Sequence, residues 1–330
     1  MEQELKKKGL LCVVLCLLVS YGCGGGGGGG AGDGSETPAP ISYTGITTQA
    51  TITEDNAVEL VLMALGAGEI GALSAAQVEG TVTYPRYLKL VQILKDSTEN
   101  IELSPSNQPI VGAIVPVSDT RTGNCGGSAS LTGNLDDQTG DASGTLTFSN
   151  YCSNGTTING IVSFSGIIEL SPSNQPIFDV FAMTTDNLSA TNGLNSSTVR
   201  GTITFDYRNY PYVVTMDILL QDGASGKVYW AEDYVMNVWD YTGHIDFSIT
   251  GRCYHPDYGY VEVTTLGPIQ TYYEYDYPYN GAISIWGLNN TRANLRAVTE
   301  LLYQVVADIN GDGDFTDPED IDFGYHPWES

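Results

Sequence analysis

From about residue 140 onward, apolar side chains recur at every second position, and this leaves few folds open to the chain. Val199, Ile203 and Phe205 alternate with Arg200, Thr202, Thr204 and Asp206. Val214, Met216, Ile218 and Leu220 alternate with Thr215, Asp217 and Leu219, and Ile245, Phe247 and Ile249 with His244, Asp246, Ser248 and Thr250. Successive side chains of a strand point to opposite faces, so this pattern predicts antiparallel strands with one buried and one wet face. Turn residues fall between the runs, at Gln221-Asp222-Gly223, Asp240-Tyr241-Thr242-Gly243, Asp257-Tyr258-Gly259 and Asn280-Gly281. Short connections make sequential strands neighbours. The expected fold is mainly β: a long antiparallel meander sheet, curved or sandwich-like, with a small N-terminal helical part.

The helical part starts at Thr53-Glu54-Asp55-Asn56, which reads as an N-terminal cap. Ala57–Leu65 follows with good helix formers, and Gly66 reads as its stop. Residues 86–96 carry Leu88, Val91 and Leu94 at helical spacing and predict a second helix. The apolar face of the sheet needs a cover, which these helices or a second sheet layer must supply.

The N-terminus reads as an address. Lys6, Lys7 and Lys8 precede an apolar run of ten residues, Leu10 to Val19, short of the ~20 needed to span a bilayer. Cys23 and seven glycines follow. This looks like a bacterial lipoprotein signal, with Cys23 as the acylated residue, although Ser20 and Tyr21 depart from the usual residues before it. The alternative is ordinary secretion or a weak anchor. Gly24, where Asp would signal inner-membrane retention, points to the outer membrane. Residues 23–42 are rich in Gly, Ala, Ser, Thr and Pro and read as a flexible tether with a mean reach of about 25 Å.

Charge narrows the partners. The chain has 13 Lys and Arg against 39 Asp and Glu, a formal charge of −26. Loss of residues 1–22 removes three lysines and two glutamates, so the exported part is at −27. Nucleic-acid phosphates need basic residues, so nucleic acid is excluded as a partner. The acidity favours divalent cations, basic partners or plain solubility.

Cys125 and Cys152 flank a hairpin with an Asp-rich turn at residues 136–141. Antiparallel return brings hairpin ends together, so a disulfide between them is expected in an oxidising compartment. Cys253 is left over and reads as a buried thiol. Cys253 and His255 share a strand face, but no further metal ligands are evident beside them.

Residues 308–319 read DINGDGDFTDPE. Asp308, Asn310, Asp312, Asp314, Thr316 and Glu319 fall at the ligand positions of a calcium loop, with Gly313 at the bend. LLYQVVA at 301–307 reads as helical, whereas the segment after Glu319 reads as strand and tail. The expected cofactor is one structural Ca²⁺ pinning this turn; the alternative is a solvated acidic turn.

Tyr272, Tyr273, Tyr275, Tyr277 and Tyr279 crowd one stretch, four of them at alternate positions. If extended, they form an aromatic row able to meet a sugar or a protein; the alternative is cross-strand packing at a sheet edge. The motifs of serine hydrolases, zinc proteases, phosphate-binding loops and c-type haem are absent. Two repeats stand out. IELSPSNQPI occurs at Ile101–Ile110 and Ile168–Ile177, and GTLTFSNY at Gly144 echoes GTITFDYR at Gly201. They suggest a duplicated β-module or a repeated turn alone.

The Cys-polyglycine leader, YTGITTQATITEDNAVEL at Tyr43–Leu60, the CGG…FSNYC…INGIVSFSG block at Cys125–Gly166, CYHPDYGYVEVTT at Cys253–Thr265 and the closing NGAISIWG…ANLRAV…VADINGDGDF resemble a set of uncharacterised proteobacterial lipoproteins. The resemblance implies a β-rich body ending in a DGDG-type acidic turn, and implies no activity. The resulting expectation is a signal peptide at 1–22, a tether at 23–42, a helix and first β-module at 43–190, and a meander with the calcium-type loop at 191–330. The expected function is a lipid-anchored envelope protein of binding or structural type, at the periplasmic or cell-surface face of the outer membrane, with an envelope protein or glycan as partner. The alternative is a glycan hydrolase or carbohydrate-binding protein using a carboxylate cleft or the tyrosine row.

Overall fold

A computed structural model of the chain describes residues 40–75, 114–136, 138–153, 155–170, 176–193, 195–272, 275 and 277–328. The signal segment, Cys23, most of the tether, residues 86–96, the first ten-residue repeat and Tyr273 lie outside them. One helix, α1 (Ala57–Ala75), precedes fourteen strands. These are β1 (Ile114–Thr122), β2 (Gly126–Asp136), β3 (Asp141–Ser153), β4 (Thr156–Leu170), β5 (Pro176–Asn192), β6 (Asn195–Asp206) and β7 (Tyr212–Asp222). They continue as β8 (Val228–Tyr241), β9 (His244–His255), β10 (Gly259–Tyr272), β11 (Asn280–Trp286), β12 (Arg292–Thr299), β13 (Leu302–Asp308) and β14 (Ile321–Pro327).

Each strand pairs antiparallel with the next in one sheet ordered β1 to β14, and β1 does not pair with β14. The expected meander is therefore the fold, as an open sheet. The expected boundary at residue 190 falls inside β5, and hydrogen bonding runs across it on both sides. GTLTFSNY and GTITFDYR lie on β3 and β6, three strands apart and so oppositely directed. The second IELSPSNQPI joins β4 to β5, whereas the first precedes β1. The first copy of IELSPSNQPI lies outside the described residues, so among those described only the GTLTFSNY echo can be compared, and its two copies do not occupy equivalent strands.

The sheet curls around α1. The helix packs against β7, β8, β9, β11, β12 and β13. On a flat sheet β7 and β13 would lie about 29 Å apart, far beyond the reach of a helix about 10 Å across. Bulges supply the bend: register shifts break the β8–β9 and β10–β11 pairings, and Gly251 and Gly281 adopt positive φ beside them. The inward residues are those the alternation named. Ile203, Phe205, Val214, Met216, Ile218, Ile245, Phe247 and Ile249 are buried with Leu60, Val61, Ala64 and Leu65 of α1. A second buried cluster joins β2 to β5 through Leu131, Leu146, Phe148, Ile158, Val162 and Leu188.

Two helical expectations change. α1 does not stop at Gly66 but runs to Ala75. Glycine costs a helix about 1 kcal/mol, and burial inside the curled sheet outweighs that. Residues 302–308 form β13, because Tyr303, Val305 and Ala307 align with Ala297, Leu295 and Ala293 of β12 on the buried face.

A meander sorts its loops. Odd-to-even connections gather at one end, here the near end, and even-to-odd connections at the far end. Residues 40–56 strap the near end. Tyr43 lies on the outer face against Trp230 and Tyr254. The Ile46 amide donates to Pro256 O at 3.1 Å, Ala50 and Tyr260 are joined through backbone, and the Leu288 amide donates to Ala50 O at 2.7 Å. Gly259, with φ of 99°, lets the strap pass, since a Cβ there would strike Thr48 O. The Asn56 side chain accepts from the Thr53 amide and donates to Thr51 O, which turns the chain inward to start α1.

Candidate metal loop

The loop between β13 and β14 lies at the near end. Asp308 closes β13 and is fully buried. Its Oδ1 accepts from the Gly311 amide at 2.6 Å, and its Oδ2 accepts from the Gly313 amide at 3.1 Å and from Arg292 Nη2 at 3.3 Å. Arg292 lies between the rings of Trp286 and Phe315, 4.6 and 4.8 Å from their centroids. Gly311 and Gly313 take positive φ, which the tight path over Asp308 requires. Asp308 is thus the internal post of the loop.

Beyond it the chain makes successive Asx turns. Asn310 Oδ1 accepts from the Asp312 amide, Asp312 Oδ1 from the Asp314 amide, and Asp314 Oδ1 from the Thr316 amide. Carboxylate oxygens of Asp312, Asp314 and Asp317 lie within 4.8 Å of one another. Asn310 Nδ2 donates to Asp317 Oδ2 at 2.8 Å. Burial pushes the Asp317 carboxyl up, and hydrogen bonds from Asn310 and from the Glu319 and Asp320 amides outweigh it, leaving it below its ordinary range. Both carboxylate oxygens of Asp320 are buried without a hydrogen-bond partner. Burial and the neighbouring Asp317, Asp308 and Asp312 raise its carboxyl.

Of the six residues read as ligands, Asp312 and Asp314 converge. Asp308 is turned inward to Arg292, and Asn310 is spent on neighbouring carboxylates. Thr316 Oγ1 donates to Asp314, and Glu319 is exposed and lies outside the converging set. Asp317, which the spacing did not select, takes its place because the chain after the loop is a returning strand, not a helix.

The cysteine pair is bridged. Cys125 and Cys152 form a disulfide with Cα atoms 5.1 Å apart, at the near-end mouth of the β2–β3 hairpin. Cys253 is buried and free, and burial pushes its thiol up to about 12. His255 is not available as a metal partner to it: Nε2 faces Glu59 Oε1 at 3.0 Å and Nδ1 accepts from the Asp257 amide at 3.2 Å.

The tyrosines sit at the far end and form pairs, not a row. Of the five, Tyr273 lies outside the described residues; the Tyr275 amide donates to Tyr272 O at 3.1 Å, so the chain turns after β10, and the Tyr279 amide donates to Gln270 O at 3.0 Å. Tyr272 stacks on Tyr279 across the hairpin at 4.4 Å and meets Tyr275 edge-on at 5.3 Å. Tyr277 stacks on Trp328 at 5.5 Å. Next to them on the outer face, His244 stacks on Tyr241, and Asn280, Gln270 and Asp246 form a hydrogen-bonded line.

Another outer cluster gave no sequence signal. Trp230 stacks on Tyr254 at 4.5 Å and donates to Asp217 at 2.8 Å. Tyr254 donates to Glu232 at 2.7 Å, and Arg252 pairs with Glu232 and Glu262. Among the described residues no helix is long and apolar enough to cross a membrane. No family model, curated protein or solved structure matches the chain.

Proposed function

We propose that this chain is an outer-membrane lipoprotein, anchored through Cys23, that acts as a binding or structural scaffold of the envelope and holds one Ca²⁺ in its β13–β14 loop. The convergence of Asp312, Asp314 and Asp317 within 4.8 Å carries the calcium part. Three carboxylates so close repel one another, and a divalent cation offsets that repulsion. The two carboxylate oxygens of the half-buried Asp320, enclosed without a hydrogen-bond partner, add to the same local deficit of positive charge. Calcium prefers six to eight oxygens, which these side chains, loop carbonyls and water would supply. An extracellular site needs a dissociation constant of only about 10⁻⁴–10⁻³ M to fill.

Titration calorimetry with Ca²⁺, against Asp314→Asn and Asp317→Asn, tests this. Binding by the parent chain and its loss in both variants supports the site; no heat, and no change in melting on adding EDTA, ends it. For the anchor, Cys23→Ser should release the protein from membranes, and continued retention would refute lipidation.

Glycan contact is a second reading, favoured by Tyr241, His244, Tyr272 and Tyr279 beside Asp246, Gln270 and Asn280 on one outer surface. Rings take sugar C–H faces and the amides and carboxylate take hydroxyls. Glycan-array binding lost on Tyr279→Ala would support it, and an empty array would discard it.

A further inference from the structure

His255 ends β9 and is fully buried, yet it touches four segments: α1, β8, the β9–β10 turn and the strap. Its Nδ1 accepts from the Asp257 amide at 3.2 Å. An amide can only donate, so Nδ1 carries no proton and the neutral ring is protonated at Nε2. That Nε2–H donates to Glu59 Oε1 of α1 at 3.0 Å. Tyr258 stacks on the ring at 4.4 Å and donates to Glu59 Oε2 at 3.2 Å, and Tyr229 of β8 meets the ring edge-on at 5.3 Å. The backbone carbonyl of His255 accepts from Tyr43 of the strap at 3.0 Å. Lys227, just before β8, pairs with Asp257 at 2.5 Å.

We propose that His255 is an acid-sensitive latch: neutral, it fastens the first turn of α1 to the β9–β10 turn, and protonated, it releases that turn and the strap lying on it. The chemistry follows from the tautomer. A second proton must go to Nδ1, where it faces the Asp257 amide, donor against donor. The hydrogen bond is lost, and the turn must move to let the new N–H find an acceptor. Glu59 and Asp257 attract the cation, and Lys227 repels it. Burial dominates, and the ring holds its proton less firmly than an ordinary histidine at 6.5. A histidine lowered in this way contributes stability that is whole above 6.5 and is lost as pH falls toward its folded value. The released turn carries Pro256 O, which holds the strap through the Ile46 amide, so the strap loosens with it.

The test uses the full chain in detergent. An NMR titration follows the rings of His244, His255 and His326, with His255→Gln assigning the signal. His255 should titrate below 6.5, and the Asp257 amide should shift with the same midpoint. Hydrogen exchange, corrected for its intrinsic pH dependence, should rise about tenfold between pH 7 and pH 5 in peptides covering residues 43–62 and 253–260, and stay level in β2–β4. If His255→Gln does not fold, Glu59→Gln serves instead. It keeps an acceptor for Nε2–H and removes an attracting charge, so the His255 midpoint should fall further. Titration at or above 6.5, equal protection at both pH values, or a raised midpoint in Glu59→Gln would each overturn the latch.

Discussion

Asp308→Ala separates two roles that the loop sequence merges. If Asp308 were a metal ligand, its removal would matter only with calcium present. The structure makes it instead a fully buried acceptor for two backbone amides and the partner of Arg292, whose side chain is 17% exposed. Removing one member of a buried pair leaves the other charge uncompensated, at a cost of about 3–5 kcal/mol. The orphaned amides of Gly311 and Gly313 gain some water when the cavity fills, so the same range is kept for the whole change. That corresponds to a fall in melting temperature of about 10 °C for a domain of this size. Asp308→Asn should lose nearly as much, because its amide nitrogen meets Arg292 or Gly313, donor against donor. The assay is urea or thermal unfolding in EDTA, where calcium contributes nothing. Asp308→Ala within about 0.5 kcal/mol of the parent in EDTA, with its calcium response abolished, would show that Asp308 is a ligand and that the buried post is wrong.

Tyr234→Phe removes a fully buried hydroxyl that donates to Ala64 O of α1 at 3.0 Å, and should cost about 1 kcal/mol in urea unfolding with little change in slope. Replacing both Cys125 and Cys152 by serine frees a loop of 27 residues and should cost about 3.5 kcal/mol in the chain-entropy model, read as a lowered unfolding midpoint. Cys253, buried and with its thiol raised to about 12, should ignore a thiol reagent at pH 8 in the native state and react once denaturant is added; rapid native labelling would contradict its burial.

The legible part of this chain is what one strand and its neighbour decide. Alternation identified Val214, Met216, Ile245 and Phe247 as inward because period two survives any curvature of the sheet. The cysteine pair was legible because a hairpin returns its own ends. LLYQVVA was not, because its apolar residues satisfy both the helical and the strand period, and only register with β12 decides. Asn280-Gly281 looked like a turn but begins β11, where Gly281 faces the bulge of β10 at Pro268 and Ile269. The tyrosines misled differently. Their alternate spacing suits an extended strand, yet the chain turns between them, so Tyr272 meets Tyr279 face to face. Contacts over long sequence distances left no trace: Glu59 and His255 are 196 residues apart.

The parity of the meander explains why the stabilising devices crowd together. Every odd-to-even loop must fall at the near end, and the chain also enters there, through the strap, before α1 begins. The disulfide, the Lys227–Asp257 pair, the His255 contacts and the Asp308 post therefore share one end. α1 springs from that end, with Asn56 fixing its first turn and Thr291 Oγ1 accepting from the Ile52 amide beside it. The far end carries aromatic pairs on short connections, about 40 Å away along strands such as the 12-residue β6. Loss of the Asn56 cap or of the His255–Glu59 contact acts on α1, and through α1 on the six strands it packs against. A far-end change such as Tyr279→Ala removes one stacked pair and leaves α1 seated, so the two ends can be altered independently.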